Sequence, residues 1–315
     1  MAFSITTNNV GEVWEDFIRY MVTGNELVDE GCINIISGIN TDLFMPRIDV
    51  TGSIWQTAAA TPSSSGTLTY DERQLDPQPW MIYTEFNPQD FRQVWKNYAP
   101  SADQLLYDTT LPPEVEREFL DALLQRHFED TGEALIQGDI VSSPVGSYPN
   151  GFFNGILTRA RNDAAVVDIA SPVALTENNI ISKIKACYEA APKAVRKSAD
   201  FKFLVSEDTA LLYENAQIAK TYKGGNDIDS TDTLRQYKGK KIVGLVGCPD
   251  DVIMAGNFSS TPQSNIHLGV TNVANHTSVK IERLQNNSEL FFMQMRMKAD
   301  TQIAKGNEFV LYDAV

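Results

Sequence analysis

Apolar side chains recur at helical spacing between residues 112 and 136. Val115 and Phe119 begin an i, i+4 track, which places side chains on one face of an α-helix. Pro112-Pro113 precede that track, and proline is favoured in the first turn of a helix. The pattern predicts a helix of about 25 residues, about 37 Å long, with Gly132 as the point where it would kink.

Residues 289–300 alternate strictly between two sets of side chains. One set is mostly apolar and contains Phe291, Met293, Met295, Met297 and Ala299. A period of two is typical of a strand with one buried face. Val279 and Ile281 alternate in the same way, and residues 285–288 are turn formers. We therefore expect a long antiparallel hairpin here, followed by a last short strand over 308–312.

Two extended segments, Leu43–Val50 and Thr67–Phe86, flank a small, polar centre at residues 57–66. That centre has neither a helical nor a strand period. The two segments contain several prolines, which restrict them to edge-type or irregular strands. With few aliphatic residues for its length, the stretch 41–95 is predicted to be a long β-hairpin that protrudes from the rest of the molecule.

The region after residue 151 alternates between helical and strand patterns. Thr176 is a candidate cap for a helix over 177–191, and Ser206 is a candidate cap for a helix through about Ala216. A strand is predicted over Phe201–Val205. Further short strands are predicted over 242–246, 252–255 and 266–270.

The first forty residues have no dense core pattern. Residues 11–22 form a short amphipathic pattern, with Val13, Phe17 and Tyr20 on one face. We expect residues 1–40 to form an arm that packs on something outside itself.

Charge and cysteine usage narrow the function classes. Of 315 residues, 26 are basic and 41 acidic, giving a net charge of −15, and residues 1–95 hold 13 acidic against 4 basic side chains. This balance argues against a nucleic-acid reader and against an anionic membrane surface as partner. The three cysteines are far apart, without a C-x-x-C motif, which favours a reducing compartment. The segment 1–11 is polar and carries no Lys or Arg, so no standard export signal is predicted.

Few residues suggest chemistry. The histidines at 127, 267 and 276 lack metal-ligand spacing, and no phosphate-loop or nucleophile-elbow motif occurs. An α/β enzyme using Asp250-Asp251 or Cys187 stays open as an alternative, although Cys187 falls on a predicted apolar helix face. We predict no catalytic, cofactor-binding or metal-binding residues, and so no enzyme.

The order of elements resembles a tailed-bacteriophage major capsid protein with the Hong Kong 97-type coat fold. The stretches that carry the resemblance include the spine-like helix that opens at Pro112, the sequences Leu135–Asp139 and Gly155–Thr158, the sequence Phe201–Ser206 before a helix, and the closing strands from Ser288 to Asp300. The resemblance implies an α+β fold with five parts. They are an N-terminal arm (1–40), an extended loop (41–95), a peripheral domain with the spine helix (96–150), an axial domain (151–269), and C-terminal strands that return to the peripheral domain (270–315).

The resemblance also implies a function. The chain would assemble with itself as pentamers and hexamers into an icosahedral or elongated head, built in the host cytoplasm around double-stranded DNA held non-specifically. A separate scaffold, a portal and optional decoration proteins would be its further partners. The runner-up is an encapsulin-like nanocompartment shell. Expected inter-subunit contacts are Trp14, Phe17, Trp55, Thr61, Ser64, Tyr70, Arg73, Trp80, Tyr222 and Asp227.

One departure from the family's best-known variant carries an expectation of its own. That variant joins a lysine of the extended loop to an asparagine of a neighbour, whereas residues 41–95 contain no lysine. We therefore expect no covalent crosslink through this loop.

Overall fold

Strand pairing in the computed structural model gives two sheets and one separate two-stranded hairpin. The structure describes residues 26–39, 42–61, 63–87, 126, 130–141, 152–219, 235–270, 280–284 and 290–314. The predicted helix over 11–22 and most of the predicted helix over 112–136 lie outside these ranges. Among the described residues, no helix is long and apolar enough to cross a membrane.

The six-stranded sheet is built from short, largely buried strands. Its order is β5-β13-β9-β6-β8-β7. The strands are β5 (Val167–Asp168), β6 (Phe201–Ser206), β7 (Gln236–Tyr237), β8 (Lys240–Leu245), β9 (Val252–Asn257) and β13 (Val310–Asp313). The strands predicted around 201–205, 242–246, 252–255 and 308–312 are confirmed, with ends that shift by a few residues.

Successive side chains along these strands point to opposite faces of the sheet and contribute to two different hydrophobic cores. In β6, Phe201, Phe203 and Val205 point into one buried cluster, and Leu204 points into the other. The first cluster is closed by two helices, α4 (Ile180–Ala190) and α6 (Glu207–Ile218). Because both faces are covered, the strands are apolar on both sides, as expected for a central sheet.

The sequence predicts the start of α6 correctly but not the start of α4. Ser206 caps α6 as expected, since its hydroxyl accepts a hydrogen bond from the backbone N–H of Thr209 at 3.0 Å. The expected cap at Thr176 is wrong, because α4 begins at Ile180 with Asn179 as its cap residue. Residues 176–179 instead form a turn, in which the Asn179 side chain accepts a bond from the Thr176 backbone N–H at 2.8 Å.

The five-stranded sheet is organised around one long strand, β12 (Phe291–Ile303). It pairs antiparallel with β10 (Ile266–Val270), β11 (Lys280–Arg283) and β4 (Gln78–Phe86). The strand β1 (Asn34–Ser37) adds to β10 in parallel. The predicted alternation in β12 is confirmed at Phe291, Met293 and Ala299, which are buried, and so is the antiparallel pairing with 280–283.

Two predicted segments are divided between different partners. The extended segment Thr67–Phe86 is two strands, because β3 (Thr67–Leu75) pairs with β2 (Leu43–Thr51) whereas β4 pairs with β12. Between them the chain turns at Asp76-Pro77, next to the fully buried Leu75. The segment 270–315 is likewise divided, since β12 joins the five-stranded sheet and β13 joins the six-stranded sheet.

A second core lies between the two sheets. It gathers Leu204 and Val243 from one sheet, Ile266 and Ile303 from the other, and the helix α3 (Ile156–Asn162). The described part of the predicted long helix, α2 (130–137), adds residues 134–136 to this core. The described chain also contains the short helix α1 (Glu26–Asp29), the helix α5 (Lys193–Lys197) and a 3₁₀ helix at Gly306–Glu308.

The sequence suggested a break in the helix at Gly132. The structure shows none there, because residues 130–137 are continuously helical. The backbone of Gly132 lies against Gly247, whose lack of a side chain allows close packing. A Cβ on Gly247, in the loop after β8, would lie 2.6 Å from the Gly132 carbonyl oxygen. The two backbones therefore approach more closely than any larger residue at position 247 would allow.

Candidate interaction surface

The hairpin of β2 and β3 has an exposed apolar face. Nine residue pairs join the two strands from Leu43↔Leu75 to Thr51↔Thr67. Directly opposite residues lie on the same face of an antiparallel pair, and so does every second residue along a strand. The register therefore collects one set of mainly apolar side chains, which we call the apolar face: Phe44, Pro46, Ile48, Val50, Leu68 and Tyr70.

None of the large apolar side chains of this face is covered by the rest of the described chain. Ile48 is 62% exposed, Leu68 70% and Tyr70 65%. Isolated exposed apolar residues are ordinary, whereas a contiguous patch marks a surface that meets another molecule. A two-stranded hairpin is also marginal by itself in water. The apolar face thus has the properties of a contact surface that is incomplete in the single chain.

The tip of the hairpin presents a second exposed group. Trp55 is 88% exposed and Ile54 62% exposed. The strands close at Gly52 and Gly66, which have φ values of +85° and +79°, a region that glycine adopts without steric cost. The Ser65 hydroxyl donates to the Ser53 carbonyl at 2.6 Å, so the tip has bonds of its own.

Polar contacts hold the base of the hairpin to the body. Arg73 forms an ion pair with Asp163 at 2.7 Å, and both side chains are largely buried. The Gln302 amide donates to the carbonyl of Gln74 at 2.6 Å. These contacts join the end of β3 to α3's C-terminal cap residue and to β12, so the hairpin leaves the body in a defined direction.

A buried carboxylate lies below this attachment. Asp300 accepts hydrogen bonds from Arg159 at 3.0 Å and from the backbone N–H of Asp76 at 2.9 Å. Burial raises the pKa of Asp300, and the guanidinium of Arg159 offsets part of that rise. Burial and a hydrogen bond with Asp42 raise the pKa of Asp76 in the same turn. The turn from β3 into β4 is thus fixed by hydrogen bonds and an ion pair.

The structure places the predicted contact residues in three groups. Trp55, Thr61 and Ser64 are exposed in the tip, and Tyr70 lies on the apolar face. Arg73 is committed to its ion pair within the chain, and Trp80 is half-buried on β4 with its ring centroid 6.1 Å from that of Phe152. The remaining four, Trp14, Phe17, Tyr222 and Asp227, lie outside the described residues.

Sequence reasoning missed most of the apolar face. Phe44, Ile48, Val50 and Leu68 belong to it, yet only Tyr70 was expected to make a contact. The signal was present as an alternation of apolar residues in 44–50, but its meaning depends on the strand register. Only the pairing Ile48↔Tyr70 and Val50↔Leu68 shows that both strands present their apolar sides together.

The residues considered for enzyme chemistry have structural roles. Burial raises the pKa of the Cys187 and Cys248 thiols to about 12, so neither is a ready nucleophile. Asp250 accepts a hydrogen bond from Ser206 at 2.6 Å, and Asp251 accepts one from the backbone N–H of Leu175. Within the described parts of the chain, no group of three His, Cys, Asp or Glu side chains is placed to hold a metal ion.

Comparison with known proteins finds relatives by fold and not by sequence. No protein-family model matches the chain, and no curated protein matches it. Among solved structures, the satellite phage P4 procapsid, which includes the size determination (Sid) protein, matches with a TM-score of 0.63 at 12% identity. That match covers 98% of this chain and 92% of the other.

Two further capsids give similar matches. The capsid of the native GTA particle matches with a TM-score of 0.61 at 12% identity, covering 99% of this chain and 93% of that one. The capsid of Myoviridae phage XM1 matches with a TM-score of 0.57 at 10% identity, covering 91% and 90%. The resemblance to phage capsid proteins expected from the sequence is thus confirmed at the level of fold.

A virus-like particle from Pyrococcus furiosus is also similar in fold. It matches with a TM-score of 0.51 at 7% identity, covering 96% of this chain and 100% of that chain. The mixed α+β fold of this chain is therefore shared by coat proteins from phage capsids and by a virus-like particle from an archaeon.

Proposed function

We propose that this chain is the major capsid protein of a tailed phage, and that it assembles with itself into an icosahedral or elongated head around double-stranded DNA. The exposed apolar face of the β2–β3 hairpin carries the proposal, because the described parts of the chain leave it open for another molecule to bury. The likeness in fold to the P4 procapsid protein over 98% of the chain supports the same function.

The five expected segments would divide the work of assembly. The extended loop (41–95) would lie over an adjacent copy, with Trp55 and Tyr70 among its contacts. The axial domain (151–269) would meet its copies around five-fold and six-fold axes, and the peripheral domain (96–150) would meet neighbours near three-fold axes. The arm and the loop around Tyr222 would add contacts of their own.

The charge of the chain suits a container for DNA. Its net charge is −15, so a shell of many copies would repel the phosphate backbone at long range. Weak attraction to the wall would let the genome be packed and released. On this hypothesis a scaffold protein and a portal are separate chains.

A nanocompartment shell is the second candidate. The observation that favours it is the likeness in fold to the virus-like particle from Pyrococcus furiosus over 96% of this chain. The two candidates differ in what they enclose, since a phage head holds DNA and a compartment holds protein cargo. Shell diameter and the ratio of absorbance at 260 and 280 nm separate them.

The test is to express the chain alone, and to examine it by negative-stain microscopy and light scattering. We expect closed shells or capsomer-sized rings, and a shell diameter that identifies a phage head or a small compartment. A compact 35.0 kDa particle at every concentration, alone and with the scaffold protein of the same phage, would contradict self-assembly.

The absence of lysine from residues 41–95 adds a chemical expectation. Mature particles should dissociate into single 35.0 kDa chains when they are boiled under reducing conditions. A ladder of covalent multimers on the denaturing gel, with a loop peptide in the linkage, would show that this part of the proposal is wrong.

A further inference from the structure

Four cations lie near the C-terminal end of helix α4, beside the six-stranded sheet. Lys193, Arg196 and Lys197 lie on one side of the helix α5, and Lys238 lies in the turn between β7 and β8. We call these four residues the cationic cluster. Among the described residues none of them forms an ion pair, and the Arg196 Nε atom has no hydrogen-bond partner.

Aromatic rings bring two members of the cationic cluster together, Arg196 and Lys238. The Arg196 guanidinium lies 5.6 Å from the Tyr188 ring centroid, and the Lys238 ammonium lies 5.1 Å from the same centroid. Tyr188 and Tyr237 contact each other with centroids 5.8 Å apart. Lys238 adopts a φ of +48° in its turn, a conformation that is uncommon for a residue with a side chain. The turn thus holds this ammonium above two rings.

The neighbouring lysines are already engaged and do not belong to the cationic cluster. Lys241 pairs with Glu30, Lys240 donates to the Ser198 carbonyl, and Lys202 donates to the Glu30 carbonyl at 3.0 Å. The contrast shows that the cluster is a distinct surface whose positive charge is not paired within the described parts of the chain. This is unusual for a chain whose net charge is −15.

The opposite edge of the same sheet carries two exposed carboxylates, with the Lys183 ammonium near the start of helix α4. Sheet order places β7 at one edge and β5 at the other. Asp168 is exposed on β5, and Glu177 is exposed in the turn before α4. Neither forms an ion pair among the described residues, and we call the two the acidic edge. The nearest ion pair on that side, Arg161 with Asp313, is closed within the chain.

The helix α4 confirms that the two groups lie at opposite ends. Near its start, the Lys183 ammonium lies 5.4 Å from the ring centroid of Tyr312 in β13. Near its end, Tyr188 contacts Tyr237 in β7. The helix therefore crosses the sheet, with Glu177 before its first turn and the cationic cluster after its last.

We propose that the cationic cluster of one copy contacts the acidic edge of a second copy, so that the six-stranded sheets join head to tail. The inference rests on the proposed self-assembly and adds the surfaces that meet. A contact between two different patches repeats from copy to copy, and it closes into a ring where the rotation allows. Complementary charge also guides such patches into register and disfavours wrong partners.

Charge reversal tests the contact from both sides. The first variant carries Lys193→Glu, Lys197→Glu and Lys238→Glu, and the second carries Asp168→Lys and Glu177→Lys. Each variant alone presents like charges at the proposed contact, so we expect its critical concentration for assembly to rise about ten-fold or more. A chain that carries both sets of substitutions should assemble again, because its cluster is then negative and its edge positive, which gives opposite charges at every contact in a ring of any size.

A matched control separates this contact from a general effect of net charge. Lys185→Glu, Lys241→Glu and Lys305→Glu change the net charge by the same amount, at exposed side chains outside the cluster. This control should assemble within about two-fold of the original chain, since exposed pairs contribute little. Circular dichroism and thermal unfolding show whether each variant is folded.

The outcomes distinguish the inference from the proposed function. If the original chain assembles and the two charge-reversal variants assemble equally well, the inference is wrong and the proposed function stands. Failure of the combined variant to recover assembly also overturns it. If the first variant assembles normally but loses nucleic acid from its particles, the cationic cluster contacts nucleic acid and not a second copy. A chain that never assembles overturns both.

Discussion

Replacing two side chains of the apolar face, Ile48→Thr together with Leu68→Thr, should weaken assembly without weakening the folded chain. Threonine keeps the strand preference of a β-branched residue while removing apolar surface. Ile48 is 62% exposed and Leu68 is 70% exposed. Most of the surface of these side chains therefore makes no contact in the single chain that the substitutions could remove. Any loss must therefore fall on the contact with another copy.

The magnitude follows from the area that a neighbour would cover. Full burial of such a side chain contributes about 1.5–3 kcal/mol. Because about two thirds of each is still exposed, and threonine retains one methyl group, the pair should cost about 2–3 kcal/mol per contact. Since each 1.4 kcal/mol is ten-fold in an equilibrium constant, the critical concentration should rise about 30- to 150-fold.

The assay is the critical concentration for assembly, measured by light scattering and checked by sedimentation velocity. Thr67→Ser with Thr69→Ser is the matched control, because both residues lie on the opposite face of the same strand. The free energy of unfolding of the variant should stay within about 0.5 kcal/mol of the original. Assembly of the variant at the original critical concentration would refute the role given to the apolar face.

Other positions give predictions that do not depend on assembly. Gly247→Ala should destabilise the chain by about 2–4 kcal/mol, measured by urea unfolding, because its Cβ would lie 2.6 Å from the Gly132 carbonyl oxygen; an unchanged midpoint would contradict that packing. Burial lowers the pKa of His267 from 6.5, so the unfolded chain takes up its proton first and stability should fall as the pH drops below about 6.5, by up to about 1.4 kcal/mol per pH unit. His267→Gln should remove that part of the pH dependence, and equal slopes would refute it. Cys187 and Cys248 should resist a thiol reagent until the chain unfolds, because both are buried; rapid labelling of the native protein would contradict this.

Local sequence patterns predicted a strand correctly where its buried side chains form a regular apolar repeat. The strand β12 was recognisable because its buried face repeats every second residue. The cap at Ser206 was recognisable because a serine directly before a helix favours the N-cap position. The prediction of a cap at Thr176 was wrong because Asn179, three residues later, takes the cap position. Both residues favour a helix start, and the sequence alone does not rank them.

Long-range pairing was beyond the sequence patterns. Nothing within 67–86 shows that β3 and β4 have different partners, since that depends on β12, more than 200 residues later in the chain. The cationic cluster is a similar case, because the run Lys193 to Lys197 acquires Lys238 only through the contact of Tyr188 with Tyr237. The exposed tip, by contrast, follows from small polar residues that have nothing to bury.

The placement of β12 and β13 has a consequence for the order of events during synthesis. β12 is the strand that joins β4, β10 and β11, and β13 lies between β5 and β9. A nascent chain therefore completes the five-stranded sheet only after residue 303 has emerged, and the six-stranded sheet only after residue 313, whatever its earlier segments have formed. An association that needs both complete sheets would therefore begin only between chains that have been synthesised past residue 313.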